Sequence, residues 1–237
     1  MASQSLKRIL IKVSGEALAG DESFGIESRF LDEVAGQLVD LSQNGYEVAI
    51  VVGGGNIFRG MSVAAGGADR VVGDHMGMLA TVINCLALGD AIRRLGGNAR
   101  VFSNLVMPDV ADHFTAREAR KTLEEGGIAI CSGGTGNPFF TTDTAAALKA
   151  VELECDALFK GTKVDGVYDA DPATNPDAKR FDEISYDEVI SRDLKVMDMA
   201  AFALARDNKL PIFVYALDVA GGVQAIIEGK GLSTRVG

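Results

Sequence analysis

The residues best suited to chemistry fall in four polar or glycine-containing segments. Lys12 interrupts the apolar run Ile9–Val13 and is followed by Ser14 and Gly15. A cation near the end of a central strand is costly to bury unless it meets an anion. Lys-x-Ser-Gly at a strand end can set an ammonium and backbone donors beside phosphate; an edge lysine reaching solvent along its stem would leave the same pattern. Gly53, Gly54 and Gly55 end the apolar run Tyr46–Val52, with Arg59 just beyond. Three successive glycines are costly in chain entropy, and a ligand close to the backbone would account for them. Arginine can fork onto phosphate oxygens.

The third segment runs from Cys131 to Ala147, C-S-G-G-T-G-N-P-F-F-T-T-D-T-A-A-A, behind the short apolar run Gly127–Ile130. Gly133, Gly134 and Gly136 can turn sharply. Thr141, Thr142, Asp143 and Thr144 are capping-type residues ahead of an alanine-rich helix expected to continue to about Glu154. A helix N-terminus with free N–H groups favours an anion, and Phe139 and Phe140 can stack on a flat ring. Two readings stay open here: a nucleotide pocket, or a tight βα turn whose phenylalanines pack into the core. The fourth segment, Gly161 to Tyr168, follows the run Cys155–Lys160. Tyr168 and Asp171 could hold a base and a ribose, or serve ordinary turn chemistry. Asp74 could accept from a ribose or open a helix.

The elements that must carry these segments alternate strand and helix almost throughout. Helical periodicity predicts helices over 27–44, 70–95, 115–125, 187–193, 198–207 and 221–229, with strands over 98–102, 210–215 and, as a last edge, 232–236. Alternation of this kind implies an α/β protein, a three-layer αβα sandwich with a mainly parallel central sheet. Ligands in such sheets bind at the carboxyl ends of strands, so all four segments would gather on one edge.

The 237 residues are 47% hydrophobic and 24% charged, enough for a large core, and read as a single domain. A net charge of −10 argues against nucleic acid as a partner. Cys85, Cys131 and Cys155 do not pair by spacing, and no Cys/His set has metal-ligand spacing. No uninterrupted apolar stretch spans a bilayer and no signal peptide is evident, so a cytoplasmic protein is expected. No G-x-x-x-x-G-K-[ST] and no G-x-G-x-x-G after the first strand is present, so a phosphate site would have to be assembled from several loops.

Longer motifs carry a resemblance. K-V-S-G-E-A-L at Lys12–Leu18, G-G-G-N-I-F-R-G at Gly53–Gly60 and V-G-D-H-M-G-M-L-A-T at Val72–Thr81 open it. G-T-G-N-P-F-F-T-T-D at Gly134–Asp143, T-K-V-D-G-V-Y at Thr162–Tyr168 and L-K-V-M-D at Leu194–Asp198 continue it. Over nearly its full length the chain resembles the uridylate kinase branch of the amino acid kinase superfamily. The resemblance implies transfer of the ATP γ-phosphoryl group to UMP with magnesium. It assigns Lys12, Arg59 and Asp143 to catalysis, with Asp143 orienting Lys12. It assigns Lys12, Val13, Ser14, Gly15, Gly55, Arg59, Thr162, Tyr168 and Asp171 to ATP. Gly54, Asp74, Thr135, Gly136, Asn137, Pro138, Phe139, Phe140, Thr141 and Thr142 would hold UMP. Gly20, Asp21, Glu22, Ser23, Phe24 and Gly25 correspond to a loop tied to GTP activation. It further implies UTP inhibition, a homohexamer built as a trimer of dimers, an UMP-binding and oligomerisation part over about 1–150 and an ATP-binding part over about 151–237. Apolar helix faces such as Val82–Ala91 could pair between subunits. A kinase for a carboxylate or carbamate is the rival within the superfamily, disfavoured by the Phe139–Phe140 pair. A non-catalytic nucleotide regulator is the rival outside it, disfavoured by the Lys12–Asp143 couple.

Overall fold

The structure, a computed structural model, describes residues 6–20, 22, 24–58, 67, 69–194, 196–217 and 222–237. Arg59, Asp21 and Ser23, named above, lie outside them. Among the described residues one sheet has nine strands. Its fifth and central strand is β1 (Arg8–Val13). On one side stand β2 (Glu47–Val52), β5 (Ile128–Ser132), β3 (Ala99–Ser103) and β4 (Asp112–His113). On the other stand β6 (Ala157–Thr162), β8 (Ile212–Ala216), β9 (Thr234–Val236) and β7 (Glu183–Ile184). Every pairing is parallel except β8 with β9.

Side chains of a strand alternate between faces, and β1 shows the consequence. Ile9, Ile11 and Val13 join the core beneath α1 (Ser28–Gln43), α2 (Arg70–Arg94) and α7 (Gly222–Ile227). Leu10 joins the core on the opposite face, with α3 (Ala116–Glu124), α4 (Thr142–Glu152), α5 (Tyr186–Ser191) and α6 (Met199–Asp207). Lys12 shares the face of Leu10. The three layers expected from the alternation are therefore present. Helix α4 carries the chain from β5 across β2 and β1 to β6, so the strand order reverses at β1. That reversal is where open α/β sheets bind ligands. Ala146, Ala147 and Ala150 of α4 are fully buried, and such small side chains let the helix lie close on β1 and β2.

The structure adds to or differs from the sequence reading in four places. Helix α4 stops at Glu152, with Glu154 in the left-handed region at φ 58°. Strand β9 is not the sheet edge, because β7 pairs outside it. The two-residue edge strands β4 and β7 have no apolar run to announce them. Helix α2 has 25 residues, and an 18-residue window of it reaches a mean hydropathy of 1.5, so it is long and apolar enough to cross a membrane by length and composition. Its Cys85, Leu88, Ala91 and Ile92 are instead buried in the core over the sheet, the usual reason a covering helix reads this way.

Candidate active site

Lys12 and Lys160 are register partners on β1 and β6. Both side chains rise on the α4 face, and each residue is only 8% exposed. Asp143, in the first turn of α4, meets both: Oδ1 lies 2.9 Å from Lys12 Nζ and Oδ2 accepts from Lys160 Nζ at 2.6 Å. Lys160 Nζ also donates to the Val196 carbonyl. Lys12 is thus neither an edge lysine nor a solvent-reaching one. Burial alone would push the Asp143 carboxyl up, but the charges of Lys12 and Lys160 outweigh it and hold it below the usual carboxylate range. Burial pulls Lys160 below an ordinary lysine, and Lys12 adds to the effect; Asp143 opposes without cancelling it. The resemblance assigns Lys160 no role. The signal existed: L-F-K-G places a lysine near the end of an apolar strand, the argument that singled out Lys12.

Two of the opening N–H groups of α4, those of Asp143 and Thr144, are taken by the cap rather than left free for an anion. Thr141, the N-cap, accepts from Asp143 N at 3.1 Å and Thr144 N at 3.2 Å. Asp198, N-cap of α6, accepts from Ala201 N at 3.0 Å and from Thr144 Oγ1 at 2.7 Å, and also takes the Thr141 hydroxyl. One carboxylate therefore ties the start of α6 to the start of α4, and Asp143 is the anion held there.

The strand-end glycines divide into two kinds. A Cβ on Gly15 would lie 2.4 Å from the Gly53 carbonyl oxygen, and one on Gly54 would lie 2.8 Å from both Ala80 Cβ and the Gly77 carbonyl oxygen. Gly15, Gly53 and Gly54 are small so that β1, β2 and α2 can approach. Of the four glycines at Gly15 and Gly53–Gly55, only Gly55 would let a Cβ make ordinary contact, 3.4 Å from Glu16 Cγ. Val13 is buried in the core and offers a ligand its backbone alone. Ser14 opens the 3-10 turn Gly15–Ala19 without a side-chain cap.

A cavity of about 540 Å³ lies between α2, Gly54–Gly55 and the turn after β5. Of the residues assigned to UMP, Gly54, Asp74, Thr135, Phe140, Thr141 and Thr142 line it. Glu16, Arg70, Met78 and Thr81 line it too, and were not foreseen. Asp74 takes Arg70 Nε at 2.8 Å and Phe139 N at 2.8 Å, so it fastens the turn to α2. Phe139 holds φ 73°, a left-handed conformation rare outside glycine. Phe139 is 66% and Phe140 51% exposed, so the reading that buried them in the core fails. Gly136, Asn137 and Pro138 belong to the same turn. Asn137 folds onto Thr135, its N–H donating to Thr135 Oγ1 at 3.2 Å.

A second cavity, of about 500 Å³, opens beyond β6. Thr162, Tyr168 and Asp171 line it together with Lys160, Arg192, Leu194 and Val196. The Tyr168 hydroxyl donates to Asp165 Oδ1 at 2.6 Å, and that hydrogen bond raises its pKa. A third hollow, about 490 Å³, is bordered by Gly20, Glu22, Phe24, Gly55 and Lys163. Gly25 is held to the strand end after β2: its N–H donates to the Asn56 carbonyl at 2.9 Å and its carbonyl accepts from Asn56 Nδ2 at 2.8 Å.

Two cavities flanking a buried Lys–Asp–Lys cluster at a sheet's switch point define a class, and the comparisons agree with it. Residues 7–216 match the model of the amino acid kinase family. The uridylate kinase of Brucella anthropi is 53% identical over 97% of this chain and 96% of its own. That of Xanthomonas oryzae pv. oryzae is 52% identical over 100% and 98%. The crystal structure of UMP kinase from Ureaplasma parvum superposes with a TM-score of 0.93 at 37% identity, covering 98% of each chain. The chain belongs to the amino acid kinase family and, within it, to the uridylate kinases.

Proposed function

We propose that this nucleoside monophosphate kinase transfers the γ-phosphoryl group of ATP to UMP, giving UDP and ADP in pyrimidine nucleotide biosynthesis. Phosphorylation of UMP follows from its place among the uridylate kinases; the donor and the residue roles are our reading. The observation that carries it is the position of the Lys12–Asp143–Lys160 cluster. Lys160 lines the second cavity, and Asp143 directly follows Thr142, which lines the first. In this reading UMP occupies the cavity at Asp74, Phe140 and Thr142, and the adenosine of ATP the cavity at Thr162, Tyr168 and Asp171. The phosphates meet over Lys12, Ser14, Gly15 and Gly55, with Arg59 as a further cation. The first cavity belongs to the N-terminal part, about 1–150, and the second to the C-terminal part, about 151–237.

Phosphoryl transfer asks for in-line positioning and neutralisation of charge on the transferred group. A UMP phosphate oxygen is already ionised, so no general base is required. Two ammonium groups on one carboxylate leave an excess positive charge aimed at the phosphates. Asp143 holds both lysines in place and is spoken for by them. Among the described residues no three carboxylate, histidine or cysteine side chains gather as metal ligands. Magnesium would thus ride on the donor's phosphates, which is its habit, and supply further charge neutralisation there.

Regulation by GTP and UTP, and a homohexamer, complete the proposal. The Asn56–Gly25 bonds support a route from the Gly20–Gly25 loop to Gly55, one residue away. UTP shares the uridine of the acceptor and would compete for its cavity. The expected pairing face of α2 needs moving: Val82, Cys85, Leu88 and Ala91 are buried, whereas Val72, Met76, Leu79 and Ile83 form an exposed stripe that supports association. Free Cys85, Cys131 and Cys155 support a reducing, cytoplasmic setting. An assay of ADP release with UMP, CMP and dTMP tests the reaction; equal rates on CMP would contradict uridine specificity. Light scattering at the monomer mass would end the hexamer.

A further inference from the structure

We infer that Lys149, a buried residue of α4 outside both cavities, positions the Gly133–Gly136 turn through Asn104 and so sets the affinity for the acceptor nucleotide. The inference rests on the reading that the cavity beside this turn takes UMP. Lys149 is 3% exposed and faces the sheet with the alanines of α4. An apolar side chain would suit that position, since a buried ammonium is expensive unless every donor is engaged. Its partners lie on three sides. Nζ donates to Glu152 Oε2 at 2.7 Å and to Asn104 Oδ1 at 3.2 Å, and sits 3.4 Å from the centre of the Phe114 ring.

The bond to Asn104 has a directional consequence. A lysine can only donate, so the amide oxygen must face it and the amide NH2 must face away. That NH2 donates to the Gly134 carbonyl. Gly134 lines the acceptor cavity beside Thr135. Asn104 touches the turn along its length: a Cβ on Gly133 would lie 3.1 Å from Asn104 N, and one on Gly136 3.2 Å from Asn104 Cβ. On its other flank the turn is held by α2, where Gly133 N donates to Thr81 Oγ1 at 2.9 Å. Gly133, Gly134 and Gly136 have φ of 76°, 58° and 77°. Glycine gives such a turn little rigidity of its own, so its shape must come from outside contacts. Lys149 fixes the Asn104 amide, and the amide fixes Gly134. Preorganisation of this kind is what a supporting shell contributes to a binding site.

Lys149→Met keeps the stem and removes the donors. In the full-length protein we expect KM for UMP to rise about tenfold, the scale of one buried acceptor left unmade. KM for ATP should stay within about twofold, because the donor cavity has no contact with this chain of bonds. Lys149→Arg should restore most of the loss. Asn104→Asp accepts from Lys149 but cannot donate to Gly134, and should raise KM for UMP to a similar degree. The Lys149→Met/Asn104→Leu double variant, which introduces no new charge, should be little worse than Lys149→Met alone, as expected for residues acting in series. A folded Lys149→Met or Asn104→Asp protein with wild-type KM for UMP would overturn the inference, as would losses that multiply in the double variant. UMP titration by calorimetry makes the same comparison without turnover. An inactive wild type would overturn the proposed reaction, whereas variants that bind UMP as wild type does would overturn the role of Lys149.

Discussion

Lys12 and Lys160 stand directly opposite one another on adjacent parallel strands and share the carboxylate of Asp143. Two like charges on neighbouring strands repel unless an anion divides them. Asp143 does so from the first turn of a helix whose alanines let it approach. The cost of burying the cluster is carried by the fold, so the positive field stands ready before any nucleotide arrives.

Removing either cation should be severe. Lys12→Ala and Lys160→Met are each expected to lower kcat at least about a hundredfold, the scale of losing one preorganised electrostatic contact. Steady-state assays with both nucleotides saturating would show it. Near-normal turnover in one variant would take that lysine out of the mechanism.

The titrations give opposite limbs. Lys160 titrates below an ordinary lysine because burial disfavours its charge. Activity should therefore decline with rising pH on the acid side of a normal lysine titration, and kcat against pH tests this. Asp143 is held below its usual range, so the folded state binds that proton less readily than the unfolded one. Its stability contribution is in full above the ordinary aspartate pKa and disappears as pH falls through the depressed folded value. Denaturation of Asp143→Asn against pH should show a flatter acid limb than wild type.

The strand-end glycines should separate by role. Gly15→Ala and Gly54→Ala force a methyl against backbone and should destabilise by about 1–3 kcal/mol, the usual cost of overpacking. Gly55→Ala has room and should stay within about 0.5 kcal/mol of wild type, while losing activity if phosphate passes there. Urea melts paired with rates distinguish the two; equal destabilisation of all three would contradict the division.

Asp198 joins two helix starts, so Asp198→Ala removes a cap worth about 1 kcal/mol together with both threonine bonds. A total loss of about 2 kcal/mol or more is expected, read from chemical denaturation. Asp198→Asn should recover part of it. A change confined to kcat would argue for a chemical role instead.

Much of the site could be read from the chain alone, because its parts follow strands. Lys12 and the glycine runs stand where apolar runs end, Thr141–Asp143 open the helix after one such turn, and the sheet gathers them on one rim. What escaped was whatever depends on partners distant in sequence. Nothing local says that Asp143 serves a second lysine seventeen residues on, or that Gly53 is small because Gly15 lies against it. Lys149 looks like an ordinary helix cation until Phe114 and Asn104 fold around it. The apolar residues of α2 run nearly all round, so periodicity does not say which side meets the sheet.

The two cavities draw on separate lengths of gene. Among the described residues the walls of one come from positions 16 to 142 and those of the other from 160 to 214. If the proposed assignment of acceptor and donor holds, a recombination or a run of substitutions upstream can remodel what receives the phosphoryl group without altering the walls that cradle its source. Descendants with new acceptors are therefore within short evolutionary reach, provided the shared spine of β1 and the first turn of α4 is inherited intact.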